Sequence, residues 1–145
     1  MKAKKNMKKV ILNKCYGGFG VSIEVYKLYA KKKGLSICFY DCDYRNGKTI
    51  YKKIEEPTNP VFFHCFTKDI EDNVTISDDD YEKYSLWLCR DYREDPTLIE
   101  VVEELGEKAN SPFSDLRIVE IPSDLDYVID DYDGIETLHE NVREW

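Results

Sequence analysis

The run from Arg93 to Pro122 constrains the fold more than any other stretch, because it carries its own start, face and stop signals. Asp95 followed by Pro96 reads as a helix N-terminus: the carboxylate accepts from unpaired amides of the first turn, and proline sits where a missing N–H costs nothing. Leu98, Val101, Val102, Leu105 and Ala109 recur at helical spacing and form one apolar stripe, with Glu100, Glu103, Glu104 and Glu107 facing away. That stripe needs a sheet to cover it. Asn110 is expected to close the helix in the left-handed conformation, Ser111-Pro112 to turn the chain, and Leu116–Ile121 to form a strand ended by Pro122.

The remaining elements read around this unit. Residues 1–8 are expected to be a flexible basic tail, and 9–145 a single domain. Val10-Ile11-Leu12 is a short buried strand, followed by the glycine-rich loop Asn13–Gly20 and a helix capped by Ser22. On that helix Val25, Tyr26, Tyr29 and Ala30 share a face, Lys31–Lys33 suit the negative C-terminal end, and Gly34 stops it. Asn46-Gly47 between Ser36–Tyr44 and Thr49–Ile54 predicts a hairpin. Val61–Phe66 and Ser85–Cys89 read as further strands, and Asp72–Tyr84 as a loop or short helix. Near the end, Asp133-Gly134 predicts a second hairpin joining 127–132 to 135–140, with a helix over 135–145 as the competing reading. The expected fold class is α+β: a mostly antiparallel sheet with two main helices, about 22–33 and 96–108, packed on it.

Charge and cysteine usage narrow the function classes. Residues 1–68 hold 15 Lys/Arg against 5 Asp/Glu, and residues 69–145 hold 6 against 24. The basic excess lies partly in the expected tail, so long nucleic acid is not the expected partner, whereas a small anion needs only a locally positive pocket. No apolar run is long enough to cross a membrane, and the Lys-rich start lacks the apolar core of a secretory signal, so a soluble protein is expected. Five cysteines without such a signal read as reduced thiols.

Catalytic raw material is thin. Only two histidines occur, His64 and His139; His64-Cys65 with Cys38 and Cys42 lacks the paired Cys spacing of a zinc site. Asp41 with Asp43, or Asp78-Asp79-Asp80, would be needed for magnesium, although capping and solvation explain them. No cofactor, metal ligand or catalytic residue is therefore assigned. A nucleotide, by contrast, requires a planar hydrophobe, amides and cationic groups. Asn13, Lys14, Gly17, Gly18 and Phe19 of the glycine loop, Arg90 and Arg93 before the central helix, and Asn110, Phe113 and Arg117 after it supply all three. The loop spacing matches neither the dinucleotide fingerprint nor a P-loop, so from the residues alone a tight structural turn comes before phosphate contact, and the arginines, Asn110 and Phe113 also have uses in solvation, helix termination and core packing.

Two stretches taken together, Lys9–Gly20 and Arg93–Pro122 with Asp131-Tyr132-Asp133-Gly134 beyond, resemble phage-encoded Thoeris anti-defence sponge proteins of the first type. The resemblance covers under half of the chain and leaves residues 35–92 unassigned. It implies a non-enzymatic protein that binds a cyclic ADP-ribose isomer, in some members also cyclic oligonucleotides, and withholds it from a defence effector. It further implies a homo-oligomer, dimer or hexamer, with ligand sites near subunit contacts, acting in the cytoplasm of the infected bacterial host. A metal-dependent hydrolase of the same signal, using Asp41, Asp43 or the Asp78 cluster, is the alternative, and a host-protein binder acting through the acidic second half is a third.

Overall fold

A computed structural model describes residues 6–142, which form one α+β domain. Strand β1 (Met7–Asn13) pairs antiparallel with β5 (Leu116–Pro122), from Met7 opposite Pro122 to Asn13 opposite Leu116. This ribbon is covered on both faces. Ile11, Leu116 and Ile118 belong to the main core with α1 (Ile23–Lys33) and α3 (Pro96–Leu105), while Val10, Leu12 and Ile121 meet Tyr127, Ile129 and Leu138 of the hairpin β6 (Tyr127–Tyr132) and β7 (Ile135–Glu140). Double-sided burial is why Val10-Ile11-Leu12 is continuously apolar rather than alternating.

A separate three-stranded sheet, in the order β3 (Lys48–Ile54), β2 (Cys38–Arg45), β4 (His64–Phe66), turns Phe39 and Cys65 into the main core. Its opposite face carries Tyr40, Tyr51 and Phe66, packed by Ile70, Ile76 and Tyr84 from the segment that includes α2 (Asp78–Tyr84). The strands are antiparallel, as the α+β expectation has it, and they are divided among three small sheets.

Local signals act as the sequence predicts at α3. Asp95 Oδ1 accepts from the amides of Thr97 and Leu98 at 2.8 and 3.2 Å, and its Oδ2 accepts from the Tyr29 hydroxyl at 3.0 Å, which ties the cap to α1. Four expectations are corrected. The helix stops at Leu105 rather than 108, because Gly106 takes φ +59° and the chain continues as a 3-10 turn over Gly106–Ala109. Asn110 is extended, not left-handed, and its side-chain oxygen accepts from the Leu116 amide at 2.7 Å. Ser22 occupies the N-cap position of α1, but its hydroxyl donates to the Lys108 carbonyl instead of accepting from the helix. The basic tail is shorter than expected, since β1 begins at Met7; residues 1–5 lie outside the described part.

Two expected strands also fall short. Asn59 Oδ1 accepts from the amides of Val61 and Phe62, an Asx turn that bends the chain away from the sheet until His64. Ser85–Cys89 runs beside β4 with a single bridge, Phe66 to Ser85, and its later amides bond elsewhere: Leu88 N–H to the Tyr26 hydroxyl and Cys89 N–H to the Trp87 carbonyl. The C-terminal segment is the hairpin, not the competing helix, over its described residues.

Candidate ligand-binding site

The glycine loop is held against the second hairpin by a buried polar knot. Glu136 on β7, 1% exposed, accepts from the Asn13 amide at 2.8 Å and takes both terminal nitrogens of Arg93 at 3.0 and 2.9 Å. Arg93 also donates to the Ile11 carbonyl at 2.8 Å and lies over the Phe19 ring, 5.1 Å from its centroid. The Asn13 side chain donates to the carbonyls of Cys15 and Gly134 and accepts from the Asp115 amide, while Lys14 Nζ donates to the Glu136 carbonyl. A buried carboxylate is tolerated when its charge is paired and its oxygens are hydrogen-bonded, and here both conditions are met. Asn13, Lys14 and Arg93 therefore work inside the protein rather than facing a ligand.

Close backbone approach requires glycine at Gly17 in the loop and at Gly134 in the facing turn, whereas Gly18 is surrounded by open space and is favoured by its φ of +101°. A Cβ on Gly17, at φ +124°, would stand 2.8 Å from both the Cβ and the carbonyl oxygen of Phe113. On the other side, a Cβ on Gly134 would stand 2.3 Å from the Gly18 nitrogen. Gly17 N–H is spent on the Asp133 carbonyl at 3.1 Å. The loop is consequently pressed between Phe113 and the hairpin turn, with no side chain in the way.

This packing creates two adjoining depressions that share Gly17, Gly18, Phe19 and Trp87. The smaller, about 170 Å³, runs among Phe113, Val61 and Ser111; the larger, about 690 Å³, is bordered by Arg90, Asp91, Asp131 and Asp133. Phe113 and Trp87 expose 58% and 71% of their surface, so two flat hydrophobes stand beside one glycine wall. Arg90 is itself exposed and 3.9 Å from Asp131. Beneath them the Tyr26 phenol accepts from the Leu88 amide at 3.1 Å, and burial pushes its pKa well above the ordinary value, so it stays neutral.

Of the residues selected from the sequence, Gly17, Gly18, Phe19, Arg90 and Phe113 meet at this groove. Asn110 and Arg117 do not: they line a different cavity, of about 620 Å³, with Glu103 and Glu107, and Arg117 pairs with Asp115 at 3.0 Å. Sequence reasoning missed Trp87, although Leu86 and Leu88 on either side are buried at 8% and 2%, an alternation that turns the indole outward. It also missed Glu136, for which no local signal exists. Of the carboxylates considered for a metal, Asp43 pairs with Arg45 at 2.7 Å and Lys52 at 3.4 Å, Asp78–Asp80 form the first turn of α2, and Asp41 has no ion-pair partner among the described residues. No helix among the described residues is long and apolar enough to cross a membrane. No protein-family model, curated protein or solved structure matches the chain.

Proposed function

We propose that the chain sequesters a cyclic adenine nucleotide signal, of the glyco-cyclic ADP-ribose type and in some cases cyclic oligonucleotides, and holds it without cleaving it. The observation that carries this reading is the meeting of Gly17, Phe113 and Trp87 at one groove: the missing side chain at Gly17 is the space that Phe113 fills. Adenine stacks on Phe113 or Trp87, a contact worth about 1–3 kcal/mol per base. The anionic part faces the Gly18–Gly20 backbone and Arg90, where amide dipoles and one guanidinium supply donors. Asp91, Asp131 and Asp133 border the same depression as Arg90 and suit ribose hydroxyls and amino groups, which donate to carboxylates.

The resemblance of Lys9–Gly20 and Arg93–Pro122 to Thoeris anti-defence sponges supports the same reading, with a homo-oligomer acting in the infected host's cytoplasm. Competing with an effector at nanomolar level takes about 12 kcal/mol, more than one open groove provides, and a second copy closing over Trp87 and Phe113 would exclude the remaining water. Calorimetric titration with cyclic ADP-ribose isomers, followed by heating the complex and analysing the released compound, tests the proposal. Unchanged nucleotide is expected; a cleaved product would make the protein an enzyme, and absence of binding across the nucleotide series would end the reading.

A further inference from the structure

On the other side of Trp87 lies a cavity of about 570 Å³ that the nucleotide reading does not use. It exists because β2 outruns β4: β2 pairs with β3 as far as Arg45 but with β4 only over Cys38–Tyr40, and the Asn59 turn carries Val61 and Phe62 outward instead of extending the strand. The space left against β2 is walled by the rings of Phe62, Phe63, Tyr81 and Trp87, with Asp41 among the lining residues. Its volume falls within the range of small-molecule sites.

The charge of this wall is one-sided. No lysine or arginine lines it. Asp41 stands opposite Lys52 across the β2–β3 ladder, yet Lys52 and Arg45 both turn to Asp43, at 3.4 and 2.7 Å, and among the described residues no ion pair claims the Asp41 carboxylate. The other titratable groups do not compensate: burial lowers the His64 pKa, and burial followed by the Asp41 charge pushes the Cys42 thiol up to about 11, so both are neutral at pH 7. Aromatic faces carry negative quadrupoles that attract cations, most strongly where a carboxylate shares the site and water is partly excluded.

We infer that this aromatic and carboxylate-lined cavity binds a small organic cation, an alkyl- or quaternary ammonium compound. The cavity shares Tyr26, Val61, Phe63 and Trp87 with the nucleotide groove, but neither Asp41 nor Phe62 lines that groove, so variants at these two positions test this site apart from the nucleotide reading. Titrating the full chain with choline, and in parallel with its neutral isostere 3,3-dimethylbutan-1-ol, tests the inference by calorimetry or tryptophan fluorescence. Choline should saturate one site and the isostere should bind about tenfold more weakly or less. Asp41→Asn, which keeps the volume and removes the charge, should weaken choline about tenfold, and Phe62→Ala about fivefold, with the circular dichroism spectrum and cyclic nucleotide binding unchanged. Equal binding of the two probes, an unaffected Asp41→Asn, or no saturation by choline overturns it.

Discussion

The two β-hairpins announce themselves with the same kind of turn and end up in different roles. Asn46-Gly47 and Asp133-Gly134 both place two consecutive residues at positive φ, 52° and 75° in the first, 49° and 95° in the second. Both turns therefore match the right-handed twist of their strands. Around Gly47, however, nothing lies within 4 Å of where a Cβ would be, whereas Gly134 abuts the backbone nitrogens of Gly17 and Gly18. The first glycine serves its own turn only. The second also serves a contact between segments far apart in sequence, and Glu136, two residues on, secures that contact through Arg93 and Asn13. A turn signal specifies a hairpin; what the hairpin touches is decided elsewhere.

Breaking the knot beneath the second hairpin should have the largest effect. Glu136→Ala leaves the Arg93 guanidinium buried without its partner and is expected to cost about 3–5 kcal/mol, read as a fall in the denaturation midpoint. A loss below about 1 kcal/mol would show that water replaces the carboxylate and that the knot is not what anchors the hairpin. Next comes the glycine pair. Gly47→Ala should cost about 1–2 kcal/mol for positive φ alone, and Gly134→Ala at least about 1 kcal/mol more, because the added methyl also meets the Gly17–Gly18 backbone. Equal losses in parallel denaturation curves would place the two turns in equivalent environments, against the geometry.

In the groove, Trp87→Ala and Phe113→Ala should each weaken nucleotide binding about tenfold while leaving stability within about 0.5 kcal/mol, since both rings are mostly exposed. Calorimetry and thermal denaturation on the same samples separate the two effects. Arg93→Ala should do the reverse, destabilising first, because its charge faces Glu136.

The smallest effect belongs to the exposed end of the second hairpin, where His139 Nε2 lies 2.6 Å from Asp130 Oδ2. The bond to Asp130 is the main cause that raises the His139 pKa above 6.5, with the Glu140 carbonyl second. A group raised in the folded state contributes stability fully below its unfolded value, and that contribution fades as pH rises through the raised value. A slight loosening of β6–β7 is thus expected from about pH 6.5 upward. Asp130→Asn should bring the His139 midpoint, followed by nuclear magnetic resonance, back down; an unmoved midpoint would remove the pair from the account.

Legibility in the sequence followed the range of the interactions. Asp95-Pro96, the Val25–Ala30 face, Gly34 and both hairpin turns were readable because each depends on groups within a few residues of one another. Arg93, Asn13 and Lys14 were readable as polar but not as satisfied: each carries donors that a nucleotide would accept, and only the approach of Glu136, 123 positions from Asn13, spends them. Phe113 and Gly17 read as independent ligand contacts and prove to be neighbours.

By itself the chain's sequence determined where helices begin, where strands reverse and which faces are apolar, since propensity, capping and periodicity operate along the backbone. The tertiary structure alone decided which polar groups are consumed internally and which remain at a surface. Pairing β1 with β5 and seating the second hairpin on the glycine loop depend on packing that no local run encodes, and that packing leaves Trp87, Phe113 and Arg90 facing the groove.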